Sequence, residues 1–102
     1  MKHFQIYQID SDNEKARLAM FMPYNRLKRF RISLSRSMYK KVYDGDVEEC
    51  ESMNKTLEKI FEIFNINRPS DFKGHSLSIS DVIEIDGVAY YCDDYGFIKI
   101  TF

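Results

Sequence analysis

Apolar and polar residues alternate near the start of the chain. His3 to Ile9 (HFQIYQI) is rich in aromatic and β-branched residues, and Phe4 and Ile6 fall on one face. This period-two pattern predicts a β-strand. The next apolar run lies within residues 14–22 and fits either a short strand or the end of a helix, because a run this short has no decisive period.

A short helix and a second strand are predicted next. Pro23 suits the first turn of a helix, so Pro23 to about Phe30 is predicted to be helical. Met38 to Tyr43 (MYKKVY) has the residue types of a strand. The dipeptide Asp44-Gly45 that follows is a strong turn signal and predicts that the strand ends there.

The strongest helical pattern lies in the middle of the chain, from Asn54 to Asn65. Its apolar residues form one stripe at helical spacing: Leu57, Ile60, Phe61 and Phe64. Asn54 is predicted to be the N-cap, and Pro69 prevents the helix from continuing. We expect this segment to be the main helix of the fold.

The last third of the chain predicts a β-meander. Its strands are Asp81–Ile85 (DVIEI), Val88–Cys92 (VAYYC) and Phe97–Thr101 (FIKIT), separated by the turn signals Asp86-Gly87 and Asp93–Gly96. With the main helix packed on this antiparallel meander, and with the N-terminal strand and short helix added, the predicted fold is a small single α+β domain.

Length and composition limit the class of protein. The 102 residues correspond to one domain, residues 1–102, and 44% hydrophobic residues are enough for one core. No run of about 18 apolar residues is present to span a membrane, and residues 1–10 lack the features of a signal peptide. Cys50 and Cys92 are too few for a disulfide framework. We therefore expect a cytoplasmic protein with reduced cysteines and no membrane partner.

The net charge of −1 conceals a strong asymmetry along the chain. Residues 1–43 carry ten basic and three acidic side chains, whereas residues 44–102 carry five basic and thirteen acidic ones. Such an asymmetry is typical of proteins with an electrostatic partner. The alternative is that the two halves pack together and partly neutralise each other.

The basic stretch is the first candidate binding surface. Its members are Arg26, Lys28, Arg29, Arg31, Arg36, Lys40 and Lys41, interleaved with Tyr24, Phe30 and Tyr39. Arginine and lysine neutralise phosphates and exposed aromatic rings stack on bases, so the pattern fits a nucleic acid. The alternative is that the aromatic residues belong to the core and the charges are only solvated.

The acidic run is the second candidate surface. Its members are Asp44, Asp46, Glu48, Glu49 and Glu51. A dense run of carboxylates can present a phosphate-like field to an enzyme that binds nucleic acid. The alternative is a solvated acidic loop.

The chain offers little catalytic or metal-binding chemistry. The segment Gly74–Asp81 (GHSLSISD) brings His75 and Ser76 together in sequence, but catalytic partners converge from separate elements, and neighbours on an extended segment point in opposite directions. Hydrogen bonds from these serines to the backbone of a long connection are the favoured interpretation. The chain has no CxxC or HxxxH motif and no glycine-rich phosphate loop. We expect a non-enzymatic protein without catalytic residues, metal or cofactor.

Several segments resemble the YodL-like domain family. The resemblance is carried by Met22–Leu27 (MPYNRL), Tyr39–Asp46 (YKKVYDGD), Leu57–Asn67 (LEKIFEIFNIN), Arg68–Val82 (RPSDFKGHSLSISDV) and Tyr90–Phe97 (YYCDDYGF). The long GHSLSISD stretch, followed by a tyrosine pair and a GF ending, is its most specific part. Cys92 departs from the family pattern, in which a small aliphatic residue is expected.

The resemblance implies a biological context rather than a mechanism. Such domains are typical of plasmids, conjugative elements and phages of Gram-positive bacteria, where they occur beside antirestriction domains, and no catalytic residues carry over. By analogy, it implies an inhibitor of host defence of the anti-CRISPR type, which would bind a type II CRISPR effector nuclease or its guide RNA. The alternative is an accessory nucleic-acid-binding module for conjugation or plasmid maintenance. A homodimer could form if the strand His3–Ile9 lay at a sheet edge.

Overall fold

Five strands and three α-helices make up the fold. The computed structural model describes residues 1–102. The elements in chain order are β1 (Lys2–Ile9), α1 (Glu14–Arg17), α2 (Tyr24–Arg29), β2 (Tyr39–Val47), α3 (Met53–Ile66), β3 (Val82–Ile85), β4 (Val88–Cys92) and β5 (Phe97–Ile100). A 3₁₀ turn at Arg36–Met38 leads into β2. The ambiguous run at residues 14–22 therefore begins with one helical turn, and the predicted α+β fold is confirmed.

The strands form one antiparallel sheet in the order β2-β1-β3-β4-β5. β1 pairs with β2 along its whole length and with β3 from Phe4 to Tyr7. His3–Ile9 does not lie at a sheet edge, because β2 and β3 pair with it on both sides, so the suggested dimer contact through this strand is wrong. The exposed edges of the sheet belong to β2 and β5.

β2 continues through the predicted turn at Asp44-Gly45, so that prediction is wrong. The strand runs on to Val47, and Gly45 lies opposite Phe4 in the pairing with β1. A Cβ atom on Gly45 would lie only 2.6 Å from Cε2 of Tyr43. The glycine is therefore needed to make room for the Tyr43 ring, and not to make a turn.

The predicted C-terminal meander is confirmed. β3 pairs with β4, and β4 pairs with β5, each antiparallel to its neighbour along the chain. Asp86 and Gly87 connect β3 to β4 with φ angles of 51° and 78°. Positive φ at both central residues defines the hairpin turn whose twist matches that of the flanking strands.

α3 covers one face of the sheet. Phe64 is 1% exposed, and its ring centre lies 4.8 Å from those of Tyr43 and Phe72. The helix begins at Met53, and the N-cap is Ser52, whose Oγ accepts a hydrogen bond from the Lys55 amide at 3.2 Å. The predicted N-cap Asn54 is wrong, because this residue already lies in the first helical turn.

The opposite face of the sheet is covered by α1 and α2. Ala16 and Leu27 are buried there against alternate residues of the strands, including Ile9, Val82 and Tyr91. The sheet therefore lies between two helical layers, with α3 on one side and the α1–α2 layer on the other.

Both cysteines are free thiols, and Cys92 is buried in the core on the α3 side. Burial raises the pKa of the Cys92 thiol. None of the helices has the length and apolar character needed to cross a membrane.

Candidate binding surface

The seven residues of the predicted basic surface separate into two groups. The first group lies on α2 or directly after it and consists of Arg26, Lys28, Arg29 and Arg31. The second group lies at the start of β2 and consists of Arg36, Lys40 and Lys41. The two groups differ in whether their charges are already neutralised.

Arg36 is held by the sheet face beneath it. Its guanidinium donates to Glu84 Oε2 at 2.8 Å and to the Tyr7 hydroxyl at 2.9 Å. It also lies 4.5 Å from the centre of the Phe102 ring. The hydrogen bond and the charge of Glu84 raise the pKa of Arg36. Arg36 therefore organises the C-terminal end of the chain.

Lys40 and Lys41 are also paired within the protein. Lys40 Nζ lies 3.4 Å from Asp10 Oδ1, and Lys41 Nζ lies 3.2 Å from Asp44 Oδ2. All four side chains are at least partly exposed, so these ion pairs contribute little to stability. They do reduce the positive potential that this end of the sheet presents to a partner.

The four cations near α2 are exposed and have no such partner. The ion pairs of the structure within 4.0 Å include neither these residues nor Lys15 and Arg17 of α1. Lys28 lies instead over the ring of Tyr24, with its Nζ 5.7 Å from the ring centre. Lys15 and Arg17 lie in the basic half of the sequence, residues 1–43, but the sequence pattern did not single them out.

Three large apolar side chains are exposed in the same part of the chain. Leu18 is 69% exposed, Phe21 55% and Phe30 60%. We define the α1–α2 surface as these residues with the six cations: Lys15, Arg17, Leu18, Phe21, Arg26, Lys28, Arg29, Phe30 and Arg31. The aromatic residues of the basic stretch thus divide, since Tyr39 is core and Tyr24 is half-buried, whereas Phe30 is exposed.

The end of α2 sets the position of Arg31. The Arg31 amide donates to the carbonyl of Lys28 at 3.2 Å, and the Ile32 amide donates to that of Leu27 at 2.9 Å. Arg31 has a φ of 55°. This pair of bonds around a left-handed residue is the Schellman motif, in which glycine is the usual occupant. Arg31 therefore occupies a position whose backbone conformation favours glycine.

A backbone amide at the start of α2 is hydrogen-bonded by a residue from the C-terminal part of the chain. Pro23 precedes the helix and supplies no capping side chain. Asp93, in the turn between β4 and β5, accepts a hydrogen bond from the Tyr24 amide at 3.0 Å. This carboxylate also suits the positive end of the helix. The β4–β5 turn therefore fixes α2 in place.

The segment Gly74–Asp81 is held by a buried network that the sequence pattern did not reveal. Gln8 accepts from the His75 amide at 3.1 Å and donates to the His75 carbonyl at 2.8 Å. Asp81 accepts from Gln8 Nε2 at 3.1 Å and from the Ser78 amide at 2.9 Å. Burial raises the pKa of Asp81 to about 7. The one signal in the sequence was that Gln8 takes the next alternate position after Phe4 and Ile6, where the pattern calls for an apolar residue.

The same segment is joined to the α1–α2 surface through Ser80. Its Oγ accepts a hydrogen bond from the Phe21 amide at 2.9 Å, and its carbonyl accepts one from the Tyr39 hydroxyl at 2.7 Å. Phe21 and Ser80 both have positive φ, at 63° and 85°. Strained backbone of this kind persists only where the surroundings fix it. Here it fixes the exposed ring of Phe21, whose centre lies 6.1 Å from that of His75.

The His75 ring contacts the Gln8 side chain and a backbone carbonyl rather than a serine hydroxyl. His75 Nδ1 lies 2.7 Å from the backbone carbonyl of Ser76. The hydrogen bonds of the His75 ring involve no serine hydroxyl. No group of three or more His, Cys, Asp or Glu side chains is arranged to hold a metal ion.

The acidic run is exposed, and each of its carboxylates lies near a basic side chain. Asp44 and Asp46 both contact the ring of His3, whose pKa is raised chiefly by the hydrogen bond to Asp46. The three glutamates lie 3.6–4.0 Å from lysines, in the pairs Glu48–Lys59, Glu49–Lys2 and Glu51–Lys55. The field of this run is therefore partly cancelled by its own neighbours.

Fold and surface together define an α+β domain with a sheet between two helical layers and an unneutralised basic and apolar surface on one of them. A family model described as the YodL-like domain matches residues 3–102. The chain belongs to the YodL-like domain family, as the sequence resemblance predicted. No curated protein and no solved structure matches it.

Proposed function

We propose that this protein binds single-stranded nucleic acid through the α1–α2 surface. One observation carries the proposal: six exposed cations without a carboxylate partner lie in the same layer as the exposed rings of Phe21 and Phe30. Unpaired cations gain free energy from a phosphate backbone by releasing its counterions. Exposed aromatic rings stack on unpaired bases, which a duplex does not offer.

The acidic run supports this choice by its own arrangement. A protein that imitates nucleic acid needs carboxylates that are free to face a basic partner. Here Lys2, Lys55 and Lys59 lie beside the glutamates, and His3 lies between the aspartates. The basic surface has no comparable internal partners, so it is the better candidate for the contact.

Binding can be measured by fluorescence anisotropy with labelled single-stranded RNA, single-stranded DNA and duplex DNA over a range of salt. We expect single strands to bind more tightly than duplex, with affinity falling steeply as salt rises. The double variant Arg26→Glu/Arg29→Glu should lower the affinity at least tenfold, about 1.4 kcal/mol, and flatten the salt dependence.

The matched control is Lys73→Glu/Lys99→Glu. Both lysines are exposed and outside every ion pair, so this variant changes the net charge equally at sites away from α1 and α2. We expect the control to bind like the wild type. Equal losses of affinity in the two double variants would mean that the effect depends only on net charge. The absence of binding to any strand at low salt would refute the proposal.

A second proposed function is inhibition of an RNA-guided nuclease in the bacterial cytoplasm. The YodL-like family membership and the mobile-element context expected from it motivate this proposal. A guide RNA is single-stranded before it meets its target, so the α1–α2 surface would occupy it or the channel that holds it.

Order of addition tests this second function. A type II CRISPR nuclease, its guide RNA and a matching DNA are mixed with the protein added before or after guide loading. We expect inhibition when the protein is added first, and loss of inhibition in Arg26→Glu/Arg29→Glu but not in the lysine control. Inhibition only after loading would instead point to blocked DNA entry and to the acidic run. No inhibition in either order would leave nucleic-acid binding as the only proposed function.

A further inference from the structure

An open groove of about 540 Å³ lies between α1 and the segment that follows α2. Lys15 stands on the α1 side and Arg31 on the other, and no carboxylate lines the groove. Neither cation has an ion-pair partner. Two unneutralised cations on opposite sides of one groove create a site for an anion.

The wall next to Arg31 supplies hydrogen-bond donors. It carries the hydroxyls of Ser33, Ser35 and Ser37. Ser35 and Ser37 are 2.9 Å apart at their Oγ atoms, so one of them donates to the other and the second proton is free for a ligand. The backbone amides of Ser33 and Ser35 have no acceptor within the protein. A phosphate accepts hydrogen bonds of both kinds.

The floor and rim of the groove are apolar. Ile32 is half-buried, Met38 is buried, and Leu18 forms an exposed rim. Inorganic phosphate alone would leave this surface in contact with water. The volume lies within the range of sites for small organic ligands, which combine an apolar lining with a few polar groups. The occupant should therefore have an apolar part joined to an anionic group.

We infer that this groove binds a nucleoside phosphate, with the phosphate between Lys15 and Arg31 and the base against Leu18 and Ile32. The inference rests on the proposed function, because a nucleotide within a bound strand has the same chemistry as a free nucleotide. An arginine guanidinium can hold two phosphate oxygens at once, which a lysine cannot. Arg31 is therefore the residue on which recognition should depend most.

The experiment follows backbone amide signals of the ¹⁵N-labelled full chain by NMR. The probes are the four ribonucleoside 5′-monophosphates, the matching nucleosides and inorganic phosphate. We expect saturable shifts in residues 15–18 and 31–37 with at least one nucleotide, and binding about tenfold weaker for nucleoside or phosphate alone. Arg31→Gln should weaken nucleotide binding about tenfold, whereas Arg68→Gln, at an exposed arginine outside both the groove and the α1–α2 surface, should change it by no more than about twofold.

Three outcomes would overturn the groove assignment. The first is the absence of saturable shifts at millimolar nucleotide, and the second is an equal effect of Arg31→Gln and Arg68→Gln. Saturation by an anionic lipid or detergent, but by no nucleotide, would also overturn it. If single strands still bind while mononucleotides do not, the groove assignment fails and the proposed function stands. If mononucleotides bind in the groove while strands do not, the proposed function fails instead.

Discussion

Arg31 is the residue at which binding and stability conflict most directly. It ends α2 with a φ of 55°, a conformation that costs an L-residue about 1 kcal/mol and glycine almost nothing. Its side chain has no ion-pair partner and lines the groove beside α1. Glycine would fit this backbone conformation better than arginine. We therefore expect the arginine side chain to be present because it contacts a ligand.

Replacing Arg31 by glycine separates the two roles. Arg31→Gly should raise the free energy of unfolding by about 0.5–1 kcal/mol, because glycine adopts the left-handed conformation without strain. The same variant should weaken nucleic-acid binding. Urea denaturation measures the first effect and anisotropy the second. Arg26→Gly, inside α2, is the control and should lower stability by about 1 kcal/mol. A destabilised Arg31→Gly variant would contradict this account of the helix end.

Gly74 illustrates a second constraint at the residue scale. A Cβ atom at this position would lie 2.2 Å from Oε1 of Gln8, the oxygen that accepts from the His75 amide. Gly74→Ala should therefore lower the free energy of unfolding by about 1–3 kcal/mol. In a Gln8→Ala background the same substitution should cost less, because the clashing side chain is gone. Equal costs in the two backgrounds, measured by chemical denaturation, would show that the contact is not responsible.

At the scale of elements, local patterns predicted most of the fold. β1, α3 and the C-terminal meander were predictable because their periodicity and their turn residues are read within a few neighbouring positions. The errors came from distant contacts. Gly45 signals a turn locally but makes room for the Tyr43 ring, and β1 becomes interior only because β3 arrives from a distant part of the chain.

The candidate site was also predictable only where it depends on neighbouring residues in the sequence. The sequence pattern identified the basic stretch but not its division, because Glu84 and Asp10, which neutralise Arg36 and Lys40, come from other strands and turns. Gln8 was missed because β1 contains several polar residues, and nothing nearby in the sequence shows which of them will hold a distant loop. Side-chain pairing across the sheet has no periodic signature.

Two phenylalanines of α3 should differ in how much they contribute to stability. Phe64 is buried against Tyr43 and Phe72, whereas Phe61 is half-buried and meets only Phe97 among the aromatic rings. Phe64→Ala should cost about 3–5 kcal/mol, a large share of the stability of a domain this size. Phe61→Ala should cost clearly less, although both residues lie on the same helical stripe. Similar losses in thermal or urea unfolding would mean that α3 packs differently.

For the whole molecule, one polar network joins the interior strand β1, the segment Gly74–Asp81 and the α1–α2 layer. Gln8 lies in the interior strand β1 and bonds to both Asp81 and the backbone of His75, and Ser80, next to Asp81, holds the Phe21 amide. The charge of Asp81 therefore bears on the α1–α2 layer as well as on the core. This arrangement makes the stability of the whole domain sensitive to pH.

Asp81 sets the direction of that sensitivity. Its pKa rises from 3.8 to about 7 on folding, so between these values the folded protein binds a proton that the unfolded chain has released. Stability from this group is complete below about pH 4 and is lost as the pH rises to about 7. His3 adds to the decline at higher pH, since its raised pKa means that its pairs with Asp44 and Asp46 are lost as the ring deprotonates.

The comparison with Asp81→Asn isolates the buried group. Asparagine keeps an acceptor oxygen for Gln8 or Ser78 but does not titrate, so the wild type should lose stability relative to this variant by on the order of 1 kcal/mol per pH unit between about pH 4 and 7. Denaturant unfolding at several pH values measures the difference. His3→Gln is the control and should leave the profile below pH 6.5 unchanged, because the contribution of the His3 ring is lost only above its ordinary pKa of 6.5 and its side chain is exposed and far from Asp81 in the sheet. A constant difference between wild type and Asp81→Asn over this pH range would show that Asp81 stays ionised in the folded protein and would refute the prediction.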